Sequence, residues 1–351
     1  MKLKRVKSLL CILASLALGC ANQPVFRINP GHKIECYAGE PRERLGITPG
    51  IALFYPDPDK LGKHSYRFSF SEKDGLVYTT GAGLIDTYHL RENADLAAFL
   101  ASETFNALKE KKPEFSFKGY DPSVYHVKIK YSDSWDRDKE DIFNASIKIG
   151  HYLAFNAATW HEIITGFRYK SKLIDESYSS FSWEDCFSNL LGTHIGIKAL
   201  LDNKHEYDEA VDIMIQSEIK RLNAQPSKTA KQAVNNVSEK WFSGFLFFQM
   251  KKRNFDVNGE CMSVLIPPAE KNSKGERKIL PEYPLPKISS LNNLEIRVEI
   301  KPRIQEEGYI FEAIEDKKAK FIEIERHFPI LIETLKKHYT ELYGDNVDRI
   351  D

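Results

Sequence analysis

No apolar stretch in this chain reaches the ~20 residues that span a bilayer, which excludes a multi-pass membrane protein. An excess of one charge sign is also missing: 50 basic residues stand against 50 acidic ones, a balance that argues against a basic nucleic-acid binder. Cysteine is scarce, 5 in 351 residues, so this is not a disulfide-stapled scaffold. Low-complexity tracts and internal repeats are absent. With 42% hydrophobic and 12% aromatic residues, the chain can build a real core and is not a disordered polymer. A Walker loop, a dinucleotide glycine fingerprint and a Gly-x-Ser-x-Gly elbow are missing as well, which removes the usual signatures of nucleotide-driven and serine-nucleophile chemistry.

What is present begins at the N-terminus. Lys2, Lys4, Arg5 and Lys7 precede an apolar stretch over 9–18, followed by Gly19 and Cys20, the layout of a secretory signal. A cysteine directly after the cut resembles a bacterial lipoprotein signal. That resemblance implies a signal peptide over 1–19, lipidation of Cys20 and a mature chain tethered to the membrane by acyl chains. Ala21, where Asp would retain a lipoprotein at the inner membrane, resembles the outer-membrane sorting signal of Gram-negative lipoproteins. An ordinary cleaved signal peptide is the alternative. Removing 1–19 takes away four basic groups and leaves 46 against 50, a formal −4, so a basic patch would not supply the membrane attachment. Of the remaining cysteines, Cys36 and Cys261 lie in polar surroundings and could pair. Cys186 sits in an apolar helical register and reads as a small buried hydrophobe.

Residues 20–61 are rich in Pro and Gly and read as a tether followed by extended, turn-punctuated chain. One globular domain is expected over 62–351. Short strands are expected at 66–70, 75–80 and 125–131, the last alternating Tyr125, Val127, Ile129 and Tyr131 on one face, and another at 294–301. Helical spacing predicts helices over 93–111, 138–169, 207–223 and 229–242, and one or two over 314–343. Ser182-Trp183-Glu184-Asp185 reads as an N-cap with acids in the first turn, opening a helix to 201. Gly192 and Gly196 within it would allow close packing, expected against the 138–169 helix. The stretch 270–286 reads as a loop. The fold class is therefore α+β, with a mainly helical centre and short strands.

Three stretches carry polar residues suited to chemistry. His161-Glu162 lies inside the long helix, but Thr165 stands where a zincin would have its second histidine, so the pair is only a fragment of that motif. Residues 81–91 place Asp86, His89 and Arg91 between a strand and a helix. Residues 179–185 end in Glu184 and Asp185 at a helix start. Each has a structural alternative: a turn-shaping Asp86, an Arg91–Asp95 pair at i,i+4, and acids that match a helix dipole. His151 and Glu162 are three helical turns apart, ~16 Å at 1.5 Å per residue, and cannot share a metal. His194 reads as core packing. His64 has no partner spacing that singles it out.

The blocks GAGLIDTYHLR at 81–91, HEIITGF at 161–167 and SSFSWEDCFSNLLG at 179–192 resemble the bacterial lipoprotein family called domain of unknown function 4056, over about residues 30 to 300. The resemblance brings no activity with it. Two readings follow from the residues. One is a cell-envelope metal-dependent hydrolase, with zinc held by His89 and His161 and an acidic ligand from Glu184 or Asp185; Glu162 is the general base and Arg91 orients a carboxylate or phosphate of the substrate. The other is a non-catalytic outer-membrane lipoprotein that binds an envelope partner or polymer, its polar residues forming a buried structural network.

Overall fold

A computed structural model describes the backbone of 27–28 and 34–35 and, from 54 to 349, all residues except 67–70, 120, 136–138, 171–176, 245–248, 290, 292 and 317–318. The signal region, Cys20, Cys36 and most of the expected 66–70 strand lie outside the described residues. Within 20–61, the two short strands β1 (Arg27–Ile28) and β2 (Ile34–Glu35) pair antiparallel.

Three helices form the centre: α1 (Thr87–Lys109), α2 (Lys139–Phe167) and α3 (Trp183–Leu201). α1 starts six residues before the expected 93 because Asp86 caps it, accepting a hydrogen bond from Tyr88 N. Its middle is Ala-rich, with Ala94, Ala97, Ala98 and Ala101 fully buried. The other two helices meet it at glycines. A Cβ on Gly150 of α2 would stand 2.4 Å from the Ala101 backbone. On Gly192 and Gly196 of α3 it would stand 2.3 Å from Leu90 O and 2.1 Å from Ala94 O. Real Cβ atoms do not approach backbone so closely, so hydrogen at these positions is what lets the helices touch. The Gly192/Gly196 pair thus faces α1, not the 138–169 helix as expected. α3 still packs on α2, as an antiparallel neighbour: Asn189 reaches Glu162, and one turn further on Thr193 reaches His151. α1 and α3 run parallel, so their N-termini lie side by side at the C-terminal end of α2.

A four-stranded antiparallel sheet covers another side, in the order β12 (Ile322–Glu323), β11 (Leu294–Lys301), β6 (Val124–Tyr131), β5 (Glu114–Lys118). The alternation read in β6 holds: Tyr125, Val127 and Ile129 are buried. The hairpin β3 (Leu76–Thr79) and β4 (Gly83–Asp86) delivers the chain into α1. Helices α4 (Tyr207–Arg221) and α5 (Ser227–Val237) follow α3, the latter ending five residues before the expected 242. The chain then forms the two-residue strands β7 (Phe242–Ser243) and β8 (Gln249–Met250).

The stretch 270–286 is not a loop throughout. β10 (Glu276–Pro284) pairs with β9 (Cys261–Ile266), its exposed charged side chains having masked the strand signal. At the C-terminus only α7 (Ile324–Tyr343) fills the expected 314–343 stretch; β12 precedes it, and α6 (Glu307–Ala313) ends just before the stretch begins. α7 lies on α2 through a stacked Trp160–Phe328 pair and a Tyr152 hydroxyl donating to Glu325 at 2.5 Å. The packed chain reaches back beyond 62: Leu61 is buried in the core, and Phe54 O accepts from Leu76 N at 2.8 Å. The architecture is the expected α+β.

Candidate functional site

The side-by-side N-termini of α1 and α3 decide where the acids collect. Helix N-termini carry partial positive charge and unpaired N–H groups, so Asp and Glu are at home there. Asp86 caps α1 and Ser182 caps α3, its Oγ accepting from Asp185 N at 3.2 Å. Each helix would tolerate such acids alone. Brought together, Asp86, Glu184 and Asp185 share one recess, and His89, on the first turn of α1, points into it.

Donor atoms of Asp86, His89 and Asp185 all lie within 4.8 Å of one another, and all three residues are partly accessible. His89 Nε2 is 3.5 Å from Asp185 Oδ1, with 18% and 16% of the two side chains exposed. Among the described residues this is the one His/Cys/Asp/Glu group that could converge on a metal ion.

Glu162 stands behind it, 4% exposed, at the C-terminal end of α2. Its Oε2 accepts from Phe181 N at 2.7 Å; its Oε1 has a longer contact, 3.5 Å, from Asn189 Nδ2. Asn189 Oδ1 in turn accepts from Asn93 Nδ2, which also donates to His89 O, so an amide chain links α2, α3 and α1 beneath the recess. Phe181 adopts φ +54°, the left-handed region that side chains avoid. Its neighbours hold it there: Asn254 N donates to Phe181 O at 2.7 Å, and the buried Arg253 grips Tyr178 O, Ser180 O and Ser180 Oγ while its guanidinium lies 3.7 Å from the Tyr339 ring centroid.

The electrostatics follow from crowding acids in a partly desolvated recess. Burial, followed by Asp185 and Asp86, pushes Glu184 up to about 8. Asp185 is pushed up to about 7, by burial and by Asp86 and Glu162 against the pull of His89. Burial also raises Asp86 and Glu162, with His89 opposing in both. For His89, burial opposes the charge, but Asp185, Asp86, Glu92 and Glu162 together outweigh it and raise the imidazole to about 9. Burial is the first cause at all four carboxylates; neighbouring acids add to it at Glu184 and Asp185, and at His89 they outweigh it.

The other expected site residues divide. His161 is near enough to His89 to feel its charge, and burial, His89 and Arg168 push it down to about 4. It is outside the converging donor group, and its Nδ1 is buried without a hydrogen-bond partner. Glu184 borders the recess but is not among the three converging donors either. Arg91 turns away from the recess. Two residues on from His89 it faces the opposite side of α1, 1% exposed, donating to Asp74 Oδ1 at 2.6 Å and to Leu61 O at 2.9 Å. It ties Leu61 and Asp74 to α1, away from the recess where an Arg91 that orients substrate was expected. Asp95, its expected i,i+4 partner, meets His64 and Tyr207 instead. Cys186 is buried, with burial raising its thiol further, as its apolar register suggested.

Asp86 is the converging donor that the sequence reading placed in a polar stretch but not in the expected metal set. Its signal was available: an N-cap acid three residues before a histidine puts both on one end of one helix. The supporting Asn93 and Asn189 carry no such signal, since buried polar residues on helices have no distinctive spacing.

This is an α+β protein with a carboxylate–imidazole cluster at two adjacent helix N-termini. The chain belongs to the family described as "Protein of unknown function (DUF4056)", whose match spans residues 57–260 and so includes every residue of the cluster. No curated protein and no solved structure matches the chain.

Proposed function

We propose that this chain is a metal-dependent hydrolase of the bacterial cell envelope, with Asp86, His89 and Asp185 holding a divalent cation. The observation that carries the reading is the convergence of these three donors within 4.8 Å in a partly accessible recess. One imidazole and two carboxylates suit zinc or manganese, and three protein ligands leave coordination positions open for water and substrate, the arrangement of catalytic rather than structural sites. A divalent cation there would supply Lewis acidity and bring the pKa of a water towards about 7. The protein's own contribution is Glu162. Its Oε2 is fixed by Phe181 N–H, while Oε1, with only the long Asn189 contact, is free to take a proton. Glu184 completes the acidic wall. The expected envelope address rests on Cys20 and the leader before it.

A second reading keeps the same residues as a structural network in a non-catalytic lipoprotein. It is favoured by the Phe181–Glu162–Asn189–Asn93–His89 chain of contacts, which ties three helices together whether or not a cation is present.

Metal content separates the two. Purified without chelator and reloaded with zinc or manganese, the wild type is expected to hold one equivalent by elemental analysis. His89→Ala and Asp185→Asn are expected to lose it, whereas Glu162→Gln and His161→Ala retain it. Once a substrate is in hand, Glu162→Gln should lower turnover by ~100-fold or more. Content near zero in the wild type after reloading would end the hydrolase reading and leave the structural one.

A further inference from the structure

Asp86 has three duties at one junction: it ends β4, caps α1 and offers a carboxylate to the recess. Its side chain accepts from Tyr88 N at 2.8 Å, which leaves its own backbone N–H to be satisfied. In a capping box, a Glu or Gln at the third helical position reaches back to that N–H. Here the third helical position is His89, whose ring turns instead towards Asp185. The N–H of Asp86 donates to Ser188 Oγ, on α3, at 2.8 Å. Ser188 is fully buried, and its hydroxyl proton is directed to Glu184 O, one turn back, at 2.6 Å. With the proton so placed, the oxygen can only accept from Asp86. One hydroxyl thus joins the segment that bears Asp86 and His89 to the turn that bears Glu184 and Asp185.

We propose that Ser188 is a positioning residue of the cation site: it does from the neighbouring helix what a capping-box residue would do, and so leaves the His89 position free to be a ligand. The inference rests on the cation-site reading above. Outer hydrogen bonds of this kind commonly set metal affinity by tenfold to a hundredfold, because they hold ligands in a geometry the ion would otherwise have to impose.

Cobalt(II) titration of the full chain tests it, since the visible bands of that ion report coordination geometry as well as occupancy. Ser188→Ala is expected to bind cobalt about tenfold more weakly or worse and, at saturation, to show bands shifted from those of the wild type. Thr104→Ala is the control for general loosening. Thr104 is fully buried on α1, and its hydroxyl donates only within the helix, to Leu100 O at 2.7 Å. That variant is expected to melt earlier yet bind cobalt as the wild type does. Ser188→Thr, which keeps the hydroxyl, is expected to restore affinity and bands; Ser188→Cys, whose sulfur is a weak acceptor, is expected to lose them and stands in for Ser188→Ala if the alanine variant does not fold. Wild-type affinity and spectrum in Ser188→Ala would overturn the proposal. So would an equal loss in Thr104→Ala, or a tenfold loss in a folded Ser188→Thr. A wild type that binds no cobalt fails one step earlier, at the cation site itself, and is distinguishable because it shows before any variant is made.

Discussion

Arg91 and His89 sit two positions apart on the first turns of α1 and meet opposite surroundings. His89 enters the acid recess; Arg91 is sealed into a second polar cluster, where His64 contacts Glu72 at 3.1 Å and Asp95 at 3.0 Å with none of its side chain exposed. Backbone N–H groups of His64 and Tyr66 bind Asp212 and Asp208 of α4, so this cluster clasps the 61–66 segment onto the helices. The clasp predicts how Arg91 behaves on substitution. Arg91→Ala removes the donor to Asp74 and to two carbonyls. It is expected to cost about 2 to 3 kcal/mol by urea denaturation, at or below the foot of the ~3–5 kcal/mol range for breaking a fully buried pair, because Asp74 is 27% exposed. Cation affinity at the recess is expected to stay within twofold of wild type; a loss as large as that of His89→Ala would return Arg91 to the site.

At the scale of elements, the antiparallel contact of α2 and α3 carries a pH dependence. His151 and His194 meet across it with ring centroids 4.5 Å apart. The Thr193 hydroxyl donates to Leu190 O, so it accepts from His151 Nε2, and His194 Nε2 donates to Pro284 O; each ring therefore carries a hydrogen on Nε2. Burial, with Lys198 adding to it, pushes His194 down to about 4, against weaker opposing effects of the Pro284 bond and Glu218; burial and His194 push His151 well down. The unfolded chain protonates these histidines near 6.5, before the folded protein does. Their contribution to stability is therefore constant above that pH and falls as pH drops from about 6.5 towards 4, by up to about 1.4 kcal/mol per pH unit for each group, while the raised acids Glu184 and Asp185 act in the opposite sense. Relative to the wild type, His194→Gln should gain stability as pH falls from 6.5 to 4.5, which urea midpoints of the two proteins measured at each pH would show. A difference that stays constant over that range would mean that His194 is already protonated in the folded state.

For the whole molecule, the expected address can be read directly in cells. Wild-type protein should fractionate with membranes. Cys20→Ser should leave the membrane or persist as unprocessed precursor, because the acyl chains and not a basic surface would make the attachment. Acyl-free wild type in the periplasm would contradict this. No described helix is long and apolar enough to cross a membrane. The packed chain from Leu61 to Val347 shares one main core cluster, so loss of the anchor should leave far-UV and near-UV circular dichroism unchanged.

Local chemistry determined a large share of this protein from the sequence alone. The β6 alternation, the Ser182 cap and the apolar period of α2 each depend on neighbours within a few residues, and the structure reproduces them within a residue or two. The β10 strand was not legible, because its exposed charged face carries no apolar rhythm. The site was legible only in parts. His89, Glu162 and Asp185 stand out as residue types, but the fact that Asp86 joins them while His161 and Arg91 do not depends on which way α1 is turned and how near α3 lies. Those two quantities are set by contacts far apart in sequence: Gly192 and Gly196 against the backbone at Leu90 and Ala94, and Gly150 against Ala101. A glycine in a sequence says that close approach is allowed. Only the packed structure decides what approaches, and here that brought two acidic helix starts together around one imidazole.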